Sequence, residues 1–211
     1  MSGETDNNAL KQYKNALETI ETYLLKHSEN RWYLGDFANG ETSNRMQHFA
    51  CFAGGMFALG AKHTDKPEFW LEKAVQIGDT CRESYASTAT NLGPDSFRVQ
   101  DGRIELDSTE YLLRPEVVET YFYLWRYTKD QRWRDYGWEF ALALELHCRT
   151  EGGFSGLNNV NVVNGGRVNR QQSWFLAETL KYLFLLFSDD IVLPLEDWVF
   201  NTEAHPIKIR K

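Results

Sequence analysis

Leu10, Tyr13, Leu17, Ile20 and Leu24 recur at intervals of three and four residues, which lays one apolar stripe along a helix. Asp6 or Thr5 offers a side-chain oxygen to cap its start. Helical character returns over residues 45–61, 67–89, 115–127, 131–148 and 171–187. In the helix over residues 67–89, Phe69, Ala74, Ile77, Cys81 and Tyr85 face inward. A chain built mostly of such stripes has to bury them against one another, so the predicted class is mainly α.

The breaks between helices are equally readable. Gly35, Asn39 and Gly40 interrupt the first helical region, and Trp32-Tyr33-Leu34 reads as a short strand before a turn. Residues 96–107 read as a hairpin turning at Asp101-Gly102. Residues 151–170 form a long Gly/Asn-rich loop, functional or mobile. Trp198-Val199-Phe200 starts a strand that ends near Pro206. Gly54-Gly55 inside a helix is costly and predicts close packing against a neighbour. From Phe140 to Leu146 apolar residues occupy more than one side of the helix, which predicts a double layer of helical hairpins. No internal repeat marks a regular solenoid.

The net charge of -7, from 23 basic and 30 acidic residues, excludes gripping nucleic acid or an anionic membrane as a primary task. No run of about 18 apolar residues predicts a membrane-spanning segment, and the polar N-terminus does not read as a signal peptide. Seven Trp, ten Tyr and thirteen Phe are enough to fill a core and still supply flat faces for sugar rings. Cys51, Cys81 and Cys148 neither demand nor exclude a disulfide, and the absence of a CxxC pair argues against structural zinc.

The chemistry concentrates in carboxylates. In Leu113-Arg114-Pro115-Glu116-Val117-Val118-Glu119 a proline stands near a helix start, where its missing N–H costs nothing. Glu116 and Glu119, three apart, share a face near the positive end of the helix dipole, which favours the ionised form a general base needs. Taken alone, Glu116 could equally be a glutamate that suits the dipole, and Arg114 a partner in a local ion pair. Glu178 interrupts the apolar run Trp174-Phe175-Leu176-Ala177, so it must be paired, in a cavity or bound to a ligand. His48 in an apolar helix reads first as a satisfied core residue.

Five stretches in order carry a resemblance. They are Met46 to Gly60, reading MQHFACFAGGMFALG; Thr80 to Tyr85, reading TCRESY; Leu113-Arg114-Pro115-Glu116; Phe175 to Tyr182, reading FLAETLKY; and Phe200 to Pro206, reading FNTEAHP. From about Asn8 onward the chain resembles the class I α-1,2-mannosidases, glycoside hydrolase family 47. The resemblance implies part of an (α/α)7 barrel of helical hairpins with small β-hairpins, and covers the C-terminal half of a catalytic domain. It implies bound calcium and inverting removal of terminal α-1,2-linked mannose from high-mannose N-glycans. It places the protein in the Golgi or endoplasmic reticulum lumen, although no signal peptide or membrane anchor is read in the chain.

Carried over residue by residue, the resemblance makes Glu116 the catalytic base and His48, Arg114, Trp174, Glu178 and Glu203 sugar-binding. Thr202 becomes the direct calcium ligand, with Glu119, Glu178 and Glu203 around its waters. Cys51 and Cys81 pair, closing a loop worth about 3 kcal/mol in the chain-entropy view. Trp174 stands where the family commonly has phenylalanine, which changes the shape of the sugar pocket. The family's general acid and a second catalytic aspartate belong to motifs that residues 1–45 do not resemble. The expectation is therefore a truncated chain, weak or inactive alone. Two alternatives are a non-catalytic glycan-binding or interaction protein, and a helical half-barrel that self-associates through exposed helix faces.

Overall fold

A computed structural model describes residues 6–210, and the Thr5 cap expectation lies outside them. Helix α1 (Asn7–Thr19) starts at Asp6, whose carboxylate accepts the backbone N–H groups of Asn8 and Ala9. It runs into a π-helical turn, Ile20–Leu24. Two hairpins follow: β1 (Leu25–Ser28) with β2 (Arg31–Leu34), and β3 (Phe37–Ala38) with β4 (Glu41–Thr42).

Arg45–Gln47, expected to open the second helix, is instead strand β5. It pairs with β6 (Ser96–Gln100), which pairs in turn with β7 (Arg103–Leu106). The strand wins because Met46 is buried opposite Phe97 while Arg45 reaches Asp36 at 2.5 Å and Asp107 at 2.6 Å. The β6–β7 turn falls at Asp101-Gly102, both with positive φ, as two-residue hairpins require.

A 3₁₀ turn, His48–Cys51, leads into α2 (Phe52–Gly60), and a second, Ala61–His63, leads out of it. Next comes α3 (Pro67–Ala86), which starts on a proline. It stops three residues before the expected end, where Thr88 turns its hydroxyl to the carbonyl oxygens of Tyr85 and Leu92.

Helices α4 (Glu116–Thr128) and α5 (Arg132–Ala143) come next, and a π-turn, Leu144–Cys148, ends α5. A small hairpin joins β8 (Arg149–Thr150) to β9 (Gly153–Phe154). The last helical stretch begins at residue 173 rather than 171, as a π-turn, Phe175–Thr179, that continues into α6 (Leu180–Phe187). The tail is a hairpin of β10 (Trp198–Phe200) and β11 (Pro206–Lys208). Pro206 therefore opens a return strand, where the sequence suggested a strand's end.

Helices α2, α4 and α6 form one row, and α3 and α5 pack behind it. Central α4 is buried over most of its surface, from Val117 through Leu124. The two glycines of α2 allow this approach. A Cβ on Gly54 would lie 2.6 Å from Thr120 Cγ2, and one on Gly55 would lie 2.6 Å from the Tyr123 ring. Thr120 then bridges the helices: its hydroxyl accepts the Gly55 N–H at 2.9 Å and donates to the Cys51 carbonyl at 2.6 Å. A Cys51–Cys81 disulfide ties the start of α2 to α3, and Cys148 stays free and buried. The long loop is pinned rather than loose: Leu157 and Tyr111 exchange both backbone hydrogen bonds at 2.9 and 3.0 Å.

Candidate functional site

At one end of the helical row is a cavity of about 480 Å³. Arg114, Glu116 and Glu119 reach it from the start of α4, and Trp174 and Glu178 from the π-turn region before α6. Thr202 and Glu203 close it from the turn between β10 and β11. Seven of the residues singled out in the sequence thus line one hollow. His48 does not line it.

The approach to α4 is held by an uncommon backbone. Leu113 has a φ of 60°, in the left-handed region, and is fully buried. Its carbonyl accepts the Thr179 hydroxyl at 2.8 Å, and the preceding carbonyl of Leu112 accepts the Trp174 indole N–H at 3.1 Å. These two bonds couple the π-turn to the segment that aims Arg114 and Glu116. The Arg114 guanidinium lies 5.6 Å from the Trp174 ring centre, bonds to Asp95, and sits 3.8 Å from Glu116.

At the third wall, Asn201 accepts the backbone N–H groups of Glu203 and His205 at 3.1 and 2.9 Å. Lys181 donates to the Ala204 carbonyl at 2.7 Å, and Ala204 takes a φ of 54°. The turn therefore presents Thr202 and Glu203 outward, both exposed.

The carboxylates differ in charge state for physical reasons. Burial alone would raise the Glu116 pKa, but His48 bonds one oxygen at 2.9 Å and Arg114 adds positive charge, so the carboxyl is held below its ordinary value. Glu119 has no such cation. Burial, with Glu116 and Glu178 nearby, pushes it up to about 8, against the opposing Tyr182 hydroxyl that donates to it at 3.1 Å. Glu178, 8% exposed, is pushed up to about 7 by burial and by Glu203 and Glu116, opposed by Lys181.

Such a set suits a hard cation: oxygen donors, and two carboxyls that need positive charge to ionise at neutral pH. Among the described residues no cluster of three or more His, Cys, Asp and Glu side chains forms a ready-made cage.

Asp95, Tyr182 and the apolar wall of Phe49 and Phe52 were not singled out in the sequence. Phe49 and Phe52 carry a faint signal, being three apart in the MQHFACF run and half-exposed in an otherwise buried segment. Asp95 and Tyr182 act by contacts between residues 19 and 63 positions apart, which no local pattern reveals.

Residues 1–209 match the family described as Glycosyl hydrolase family 47. Human mannosyl-oligosaccharide 1,2-alpha-mannosidase IB is 52% identical over 217 residues, covering 99% of this chain and 34% of the human protein. Drosophila melanogaster mannosyl-oligosaccharide alpha-1,2-mannosidase IA is 47% identical, covering 99% of this chain and 32% of its own. The chain thus spans about a third of the length of these curated relatives. The solved alpha-1,2-mannosidase from Trichoderma reesei superposes with a TM-score of 0.87 at 29% identity, over 97% of this chain and 49% of that one. The row of hairpins is accordingly a portion of the (α/α)7 barrel fold, and the chain belongs to glycosyl hydrolase family 47.

Proposed function

We propose that residues 1–211 are the C-terminal portion of a calcium-dependent, inverting α-1,2-mannosidase domain. It would act in the Golgi or endoplasmic reticulum on terminal mannose of high-mannose N-glycans. The observation that carries this reading is the convergence of Glu116, Glu119, Glu178, Thr202 and Glu203 from three separated segments on one cavity.

In this reading Glu116 is the base. An ionised carboxylate takes a proton from water as its oxygen attacks the anomeric carbon opposite the leaving oxygen, which inverts that centre. Arg114 and Glu203 bond sugar hydroxyls, and Trp174 offers its ring as a platform. Thr202 would hold calcium, with Glu119, Glu178 and Glu203 fixing its waters. When bound, the ion supplies positive charge that ionises Glu119 and Glu178 and oxygen coordination that orients hydroxyls. His48 supports Glu116 from behind rather than touching sugar.

No residue of the chain is assigned the role of general acid. A positioned acid contributes about 10²–10⁴-fold, so the isolated chain should release mannose from a high-mannose glycan at no more than about a hundredth of the rate of a full-length relative. Calorimetry should still detect calcium binding, weakened by Thr202→Ala. Undetectable calcium and mannose binding by the folded chain would refute the reading. Mannose binding with no product at any enzyme concentration would favour a glycan-binding role resting on Arg114, Trp174, Glu178 and Glu203. Self-association is part of the proposal, since Leu146 and Phe184 stand well exposed on neighbouring helical segments.

A further inference from the structure

Behind Glu116, on the side away from the cavity, is a short row of buried polar side chains. His48 is 1% exposed and uses both ring nitrogens: Nδ1 meets Glu116 Oε2 at 2.9 Å, and Nε2 meets the Tyr85 hydroxyl at 2.6 Å. Tyr85 is itself buried, with the rings of Phe140 and Tyr111 edge-on at 5.5 and 6.3 Å. A Cβ on Gly93 would come within 2.2 Å of the Tyr85 ring, so bare backbone closes over it. Cys81, one turn before Tyr85 on α3, is bonded to Cys51 at the end of the 3₁₀ turn that carries His48. The disulfide and the Tyr85–His48 contact therefore fasten the same two elements.

The protons can be assigned. A carboxylate held below its ordinary pKa is ionised at neutral pH and only accepts, so Nδ1 of His48 carries hydrogen. Burial holds the Tyr85 hydroxyl well above its usual value, so it keeps its proton. A buried O–H needs an acceptor, and Nε2 lies in contact at 2.6 Å. We propose that Tyr85 is a positioning residue: by donating to Nε2 it holds His48 as the neutral Nδ1–H tautomer, and so aims the Glu116 carboxylate into the cavity. A doubly protonated ring would instead turn the Tyr85 hydrogen from Nε2 toward the Tyr111 hydroxyl, and would bury a second full charge. The significance of this aim rests on Glu116 being the base.

The test is nitrogen NMR on the whole chain labelled with ¹⁵N-histidine, at neutral pH, the His48 signals identified by their loss in His48→Gln. The expected wild-type spectrum has a pyrrole-type Nδ1 and a pyridine-type Nε2. In Tyr85→Phe, which keeps the ring, Nδ1 should stay pyrrole-type against Glu116 while the Nε2 signal shifts as it loses its donor. A wild-type spectrum with Nε2 protonated overturns the proposal, as does a Tyr85→Phe spectrum identical to wild type. Should Tyr85→Phe fail to fold, the wild-type spectrum still decides. The spectrum needs neither sugar nor metal, so failure of mannose release or binding would remove Glu116 as base without touching the tautomer result.

Discussion

Glu119 illustrates how a single carboxyl can work against the fold that holds it. Its pKa stands at about 8 in the folded chain against an ordinary 4.5, with burial as the main cause. Between those values the unfolded chain has released the proton and the folded chain has kept it. The unfolded state binds fewer protons, so stability of the metal-free protein falls as pH rises through that window. At 1.36 kcal/mol per unit the loss is on the order of 5 kcal/mol. Glu119→Gln removes the titration while keeping the Tyr182 bond available. Urea midpoints should therefore rise at pH 8 and change little at pH 5; an equal change at both would refute the argument. The glutamate pair on one helix face was legible from its spacing. The charge difference between Glu116 and Glu119 was not, because it comes from the His48 hydrogen bond and the Arg114 charge at one and the lack of either at the other.

Among elements, α2 against α4 is the contact that fixes the cavity wall, and it depends on absent side chains. Gly54→Val would drive a branched side chain into Thr120, itself stiff at χ1, and toward the Ala74 carbonyl at 3.2 Å. The expected cost is about 1–3 kcal/mol, read as a lower urea midpoint with calcium binding weakened in parallel. Unchanged stability would mean the helices can separate freely. The glycine pair announced this contact in the sequence, and apolar periodicity located every helix. What periodicity missed is informative. Arg45–Gln47 alternates polar, apolar, polar over only three residues, too short a run to read, and becomes a strand because β6 lies beside it. The three π-turns, Ile20–Leu24, Leu144–Cys148 and Phe175–Thr179, use the same residue types as α-helix and were invisible.

For the whole molecule the telling surface is on α5 and the segments flanking it. Trp138, Leu142 and Leu146 lie four residues apart and are 56%, 53% and 72% exposed. Trp138 meets Phe187 of α6 edge-on at 6.0 Å, extending the apolar face onto a second helix. Apolar residues on more than one side of this helix were legible from Phe140 to Leu146, but which side stays uncovered was not. A contiguous face of this kind promotes association. Sedimentation should show mass rising with concentration, and Leu146→Glu with Phe184→Glu should weaken association by about 100-fold, near 2.7 kcal/mol. A wild-type chain that remains a monomer throughout would refute this.

The wide turn Phe175–Thr179 has a consequence for length as well as chemistry. It separates Trp174, bonded to the Leu112 carbonyl, from Lys181, bonded to the Ala204 carbonyl. Loss of one codon here would let the backbone relax to ordinary α winding and swing everything upstream by about 100° relative to everything downstream. The indole and the ammonium could then no longer reach their two carbonyls together. Spacing in this stretch is thus as tightly specified as residue identity, whereas an added residue in the exposed 151–152 tip would displace only surface.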